Sequence, residues 1–116
     1  MSSWALHVIF DVEHDRELQA KLNSAMGSRI ITCSEPRPAD ARDWPKRVSA
    51  KMKRASAVLV LCSGHTGSSA QVDAELQIAQ KAGKPYFLIQ LGSDEAEPPP
   101  SARAADLILN LPDRRR

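Results

Sequence analysis

The stretch from Ala57 to Leu91 constrains the fold more than any other part of the chain. It begins with an unbroken apolar run, Ala57-Val58-Leu59-Val60-Leu61-Cys62, and passes through a small polar loop, Ser63-Gly64-His65-Thr66-Gly67-Ser68-Ser69. An amphipathic segment follows from Ala70 to Ala82, then a Gly83-Lys84-Pro85 break and a second apolar run, Tyr86-Phe87-Leu88-Ile89. A short β-branched run without polar alternation fits a strand buried on both faces. Strand, helix and strand in this rhythm predict a right-handed parallel crossover unit. Open α/β sheets bind ligands outside the carboxyl ends of their strands, so the 63–69 loop marks the expected site. Glu75 stands just inside the helix that this loop starts.

The rest of the chain repeats the rhythm. Trp4 to Phe10 reads as a first strand, with His7 inside it, and Asp11-Val12-Glu13-His14-Asp15 as the loop at its end. Asp15 is expected to cap a helix whose apolar face is Leu18, Leu22 and Met26, with Gly27 as the left-handed residue that ends it. Arg29 to Cys33 reads as a second strand. Ser34 to Asp43, with Pro36 and Pro38, is long for a strand-to-helix connection and is a candidate lid. Asp43 is expected to cap a helix with Pro45 in its first turn, buried through Trp44, Val48 and Met52. Its remaining residues Lys46, Arg47, Lys51, Lys53 and Arg54 read as solvated decoration or as a face for phosphate. Ser68 and Gln71 have the spacing of a capping box for the third helix, which Gly83 stops. Pro85 opens a fourth strand, Gly92 to Ser101 is an acidic, Pro-rich connection, and Leu107-Ile108-Leu109 is a short last strand.

Alternating β and α segments predict one doubly wound, three-layer flavodoxin-like α/β domain over 1–112, with a basic tail at 113–116. The expected sheet has five mostly parallel strands in the order 2-1-3-4-5. That order brings the 11–15 and 63–69 loops to one crevice. A chain of 116 residues suffices for one core. Sixteen basic against 14 acidic side chains, net +2, give no electrostatic argument for nucleic acid. No apolar stretch approaches the roughly 20 residues that span a bilayer. Met1-Ser2-Ser3-Trp4 lacks a basic region followed by an apolar core, so no secretory signal is expected. Cys33 and Cys62 are too few for a zinc site and read as free thiols in a reducing cytoplasm.

Familiar motifs are absent: no Gly-x-Gly-x-x-Gly after the first strand, no phosphate loop ending in Lys-Ser or Lys-Thr, no Gly-x-Ser-x-Gly elbow. Asp11, Glu13 and Asp15 mimic part of a phosphorelay receiver, but the third strand ends in Cys62-Ser63 and the fourth in Gln90-Leu91, without the required Asp and Lys. What remains is a constellation of Phe10, Asp11, Ser34, Ser63, His65, Ser68, Ser69, Asp73 and Glu75. A Ser- and Gly-rich helix start can hold an anion through free N–H groups. A carboxylate one or two turns in can bond a sugar hydroxyl, or stabilise the cation formed when a glycosidic bond breaks. The spacing also fits plainer roles: Glu75 as an exposed helix residue, Ser68 and Ser69 as caps, Asp73 as a dipole partner, His65 as an exposed loop residue, Asp11 as a turn former.

The segment from Ala55 to Leu76 resembles the centre of TIR-like domains. It is most similar to the short bacterial branch that includes the signal-producing TIR proteins of Thoeris antiphage defence. The matching residues are Gly64, Thr66, Ser69, Val72-Asp73-Ala74-Glu75-Leu76 and Gly83-Lys84-Pro85, with weaker likeness in Phe10-Asp11 through Asp15 and in Ile31 to Ser34. Departures are Ala70-Gln71, where an aromatic often stands, and Cys33. The resemblance implies a TIR-like enzyme that takes NAD as substrate, needs no tightly bound cofactor or metal, and breaks the nicotinamide–ribose bond. Its product would be ADP-ribose or a cyclic or conjugated signal for a downstream effector. It further implies Glu75 as the catalytic residue, Phe10, Asp11, Ser34 and Ser69 lining the nucleotide pocket beside Ser63 and His65, and self-assembly through the Ser34 to Asp43 loop. Two other functions compete. One is a non-catalytic TIR-like interaction or nucleotide-binding module. The other is a nucleoside deoxyribosyltransferase-like enzyme, against which Glu75-Leu76-Gln77-Ile78-Ala79 lacks the glycine of Glu-x-Gly-x-Ala.

Overall fold

The structure is a computed structural model that describes residues 5–36, 42–91, 97–102 and 108–111. Four strands, β1 (Leu6–Ile9), β2 (Ile30–Cys33), β3 (Ala57–Leu61) and β4 (Tyr86–Leu91), form a parallel sheet in the order β2-β1-β3-β4. Three helices accompany them: α1 (Arg16–Met26), α2 (Trp44–Arg54) and α3 (Ala70–Lys81). A further segment, Ile108–Leu111, lies parallel to β4, with Leu88 opposite Ile108.

Alternation along the central strands sorts the core into two layers. Leu6, Val8, Phe10, Ala57, Leu59, Leu61 and Ile89 pack with Leu22 of α1 on one face. Ile9, Val58, Val60, Cys62 and Leu88 pack on the other face with Trp44, Val48 and Met52 of α2 and Val72, Leu76 and Ala79 of α3. Because both faces are covered, β3 is buried at all five positions, which is why its sequence runs apolar without alternation.

Several helix ends differ from expectation. Asp15 and Asp43 precede α1 and α2 but make no capping bond from their side chains. The Asp15 carboxylate instead accepts from Ser63 Oγ at 2.6 Å, so a partner 48 residues away wins over the local N–H groups. Gly27 is right-handed and starts a single tight turn, Gly27–Arg29, rather than closing α1. The residue that caps α3 is Ser69, whose Oγ accepts from Val72 N–H at 3.2 Å; Ser68 closes the turn before it, so no Ser68–Gln71 box forms. Gly83 is, among the described residues, the position with positive φ (67°), a conformation strained for an L side chain even though open space surrounds it. The centre of the expected lid (37–41), much of the acidic connection and the basic tail lie outside the described residues.

Candidate active site

Glu75 lies on the inner side of α3 and is only 1% exposed. Side chains from β1, the end of β2 and the first turn of α3 converge on it. Ser34, just past the end of β2, donates its hydroxyl to Glu75 Oε2 at 2.9 Å while accepting from Phe10 N–H at 3.2 Å. Gln71 lies one helical turn before Glu75, so the two side chains meet on one face of α3. The Gln71 amide donates to Glu75 Oε2 and, at 3.0 Å, to the Phe10 carbonyl, and its oxygen accepts from Val12 N–H at 3.2 Å. Gln71 therefore fastens the loop after β1 to the start of α3. With two donors on Oε2, the other carboxylate oxygen, Oε1, is left facing His7.

His7 is fully buried in β1 and turns its Nε2 toward Glu75 Oε1 at 3.8 Å, too far for a hydrogen bond. Its Nδ1 lies 2.7 Å from Thr32 Oγ1 on β2. A register shift between Leu6 and His7 makes this contact: Leu6 pairs with Ile30, but His7 pairs with Thr32 instead of Ile31.

His7, Ser34 and Glu75 floor a cleft of about 20 Å³, room for roughly one water. Trp44 and Val48 of α2 form its apolar wall, and Cys33, Glu35, Arg47 and Lys51 its outer side. Lys51 Nζ lies 2.8 Å from a Glu35 oxygen, and this bond holds the Glu35 carboxyl below its ordinary range. Burial raises the Cys33 thiol above its usual pKa. Two of the basic α2 residues thus border the cleft, a placement that the pattern of charges alone did not distinguish from a solvated face.

The other expected residues gather elsewhere. The Phe10 ring packs in the α1-side core, and only its main chain serves the Glu75 network. Asp11 closes its own turn, accepting from the N–H groups of Glu13 (2.9 Å) and His14 (3.2 Å), with His14 Nδ1 at 3.1 Å. Burial alone would raise the Asp11 carboxyl, but these hydrogen bonds together hold it below its ordinary value, and they raise His14 above its own. The His14 ring stacks on His65, centroids 4.4 Å apart. Ser63 bridges this turn to β3, donating to Asp15 and accepting from His65 N–H at 3.0 Å. Ligand atoms of Asp11, Glu13 and His14 come within 4.8 Å of one another, and His14 Nδ1 already bonds the Asp11 carboxylate. Asp73, on α3, accepts from Ser101 N–H at 2.7 Å, and so holds the 97–102 segment rather than a ligand.

The expected constellation therefore divides. Ser34 and Glu75 share one cleft with His7, and Gln71 holds Glu75 from the first turn of α3; sequence reasoning placed neither His7 nor Gln71 at the site. Asp11, Ser63 and His65 build the adjoining loop, and Ser69 caps α3. His7 carried a signal, a polar residue inside an otherwise apolar strand. Gln71 carried one only through its i, i+4 spacing from Glu75.

The described residues thus form a parallel α/β sheet with a buried, hydrogen-bonded carboxylate on the helix after its third strand. The chain belongs to the family described as Thoeris protein ThsB, TIR-like domain, which matches residues 7–96. That membership supports a TIR-like role in antiphage defence. No curated protein matches the chain. No helix among the described residues is long and apolar enough to cross a membrane.

Proposed function

We propose that this domain binds NAD at the Glu75 cleft and breaks the nicotinamide–ribose bond, yielding an ADP-ribose-derived product that serves as a defence signal in the cytoplasm. The observation that carries the reading is the state of Glu75: a buried carboxylate with one oxygen held by Ser34 and Gln71 and the other left facing the cleft. Nicotinamide in NAD is a cationic leaving group. When the bond breaks, its electron pair neutralises the pyridinium nitrogen, so no general acid is required. The positive charge passes to the ribose, where a fixed carboxylate stabilises it more in the transition state than in the ground state. Water captures the ribosyl cation and releases a proton in hydrolysis; a nucleophile on the same nucleotide gives a cyclic product.

In this reading Ser34 and Gln71 orient Glu75, and Arg47 borders the path of the pyrophosphate. Phe10 acts through its main chain, while Asp11, Ser63 and His65 build the adjoining loop and Ser69 starts α3. Neither a metal nor a tightly bound cofactor takes part. The complete sheet is read as five strands in the order 2-1-3-4-5, supported by the pairing of Ile108–Leu111 with β4. Self-assembly through the loop from Ser34 to Asp43, and a downstream effector that receives the product, belong to the same proposal.

A non-catalytic interaction module is the second reading, favoured by a cleft with room for about one water. Chromatography of NAD incubated at high protein concentration, with and without a crowding agent, separates the two. Nicotinamide release that disappears in Glu75→Ala supports the enzyme, and the second product identifies the branch. Intact NAD under every condition supports the module.

A further inference from the structure

We infer that His7 is a specificity residue, its Nε2–H and the open oxygen of Glu75 together taking one sugar hydroxyl of the ligand. The inference rests on the proposed reading of the Glu75 cleft and deepens it.

Among the described residues, His7 Nε2 is the buried side-chain polar atom with no hydrogen-bond partner. Such atoms are rare because leaving them unpaired is unfavourable. The neighbouring groups cannot satisfy it. Ser34 O–H and the Gln71 amide are directed at Glu75 Oε2, and Glu75 Oε1 is 3.8 Å away. The proton position follows from the surroundings. If Nε2 were the acceptor, its lone pair would face a carboxylate oxygen. The favourable arrangement has Thr32 O–H donating to Nδ1 and the hydrogen on Nε2, and protonation of the ring leaves that same N–H in place.

The cleft floor therefore offers an unmatched donor beside the Glu75 oxygen that Ser34 and Gln71 leave uncovered. A single ligand atom that serves both must accept and donate at once, which a hydroxyl does and a phosphate oxygen, an ammonium or an aromatic edge does not. The volume, about 20 Å³, admits one such group and leaves the sugar ring at the mouth beside Trp44.

The test compares binding of NAD with binding of two analogues, each lacking one hydroxyl of the nicotinamide ribose. Wild type is expected to bind NAD on the order of 10-fold more tightly than one of the analogues. His7→Leu is expected to lose that preference and His7→Gln, which keeps an N–H donor, to retain part of it. The imidazole nitrogen chemical shifts of the free wild-type protein are expected to place hydrogen on Nε2. Should His7→Leu fail to fold, Thr32→Val, which frees the ring from its anchor, makes the comparison: a lost preference supports the role and an unchanged one overturns it. Equal binding of NAD and both analogues by wild type, or hydrogen on Nδ1 alone, overturns the role and leaves the NAD reading standing. Wild type that binds none of the three overturns the NAD reading and the sugar pair with it.

Discussion

Replacing Ser34 with alanine is the sharpest perturbation of the network that holds Glu75. The hydroxyl is buried, donates to Glu75 Oε2 and accepts from Phe10 N–H. A hydrogen bond to a charged group contributes about 1.5–3 kcal/mol, and a buried N–H left unpaired costs about 1–3 kcal/mol. The two losses do not add in full. The vacated position borders a cleft with room for about one water, which can re-pair one of the two groups. The expected net loss is roughly 2–3 kcal/mol of folding stability, with no more than a methyl-sized change in packing. Urea unfolding at neutral pH reads it, and a drop in melting temperature of about 4 °C per kcal/mol should accompany it. The same substitution in a Glu75→Gln background should cost less by roughly 0.5 kcal/mol or more, because the acceptor has already lost its charge. A Ser34→Ala change below about 0.5 kcal/mol, the range of an ordinary surface substitution, would refute the reasoning.

Two further predictions concern titration and reactivity. The hydrogen bond to Asp11 raises His14 above its ordinary value, so its stabilising contribution is present below 6.5 and lost as pH rises through the folded value. Asp11 is depressed, so its own contribution is present above 3.8 and lost as pH falls through the folded value. NMR titration should find His14 above 6.5 in wild type and lower in Asp11→Asn; a His14 that titrates identically in both contradicts the pairing. Burial pushes the Cys62 thiol up to about 12, so alkylation in mildly alkaline buffer should spare it in the folded protein and reach it in urea. Labelling of native Cys62 as fast as in urea would show that the α2/α3 layer does not enclose it.

The elements that sequence reasoning located best are those whose signal is local. Ala57–Leu61 is apolar at every position because helices cover both faces of its sheet, and Trp44, Val48 and Met52 recur at helical spacing because one stripe of α2 meets that sheet. Helix caps were less legible. Asp15, Asp43 and Ser68 are all competent caps, but Asp15 bonds Ser63 in the loop after β3, a contact that depends on β1 and β3 being neighbours. The position of Glu75 was readable, and its burial was not. Its surroundings are assembled from β1, the end of β2 and the first turn of α3, and no spacing within α3 encodes that meeting. The contact between His7 and Thr32 was equally hidden, because it needs a register shift that neither strand announces.

The central claim is that the buried carboxylate of Glu75 carries the chemistry. Glu75→Gln tests it most directly, since it keeps the size of the side chain and an oxygen for Ser34 and Gln71 while removing the charge. The measurement is nicotinamide release from NAD at high protein concentration, by wild type and variant confirmed as folded by circular dichroism. The expectation is release by wild type and a loss of at least about 100-fold in the variant. Release by a folded Glu75→Gln protein at the wild-type rate would contradict the claim and move the chemistry away from this cleft.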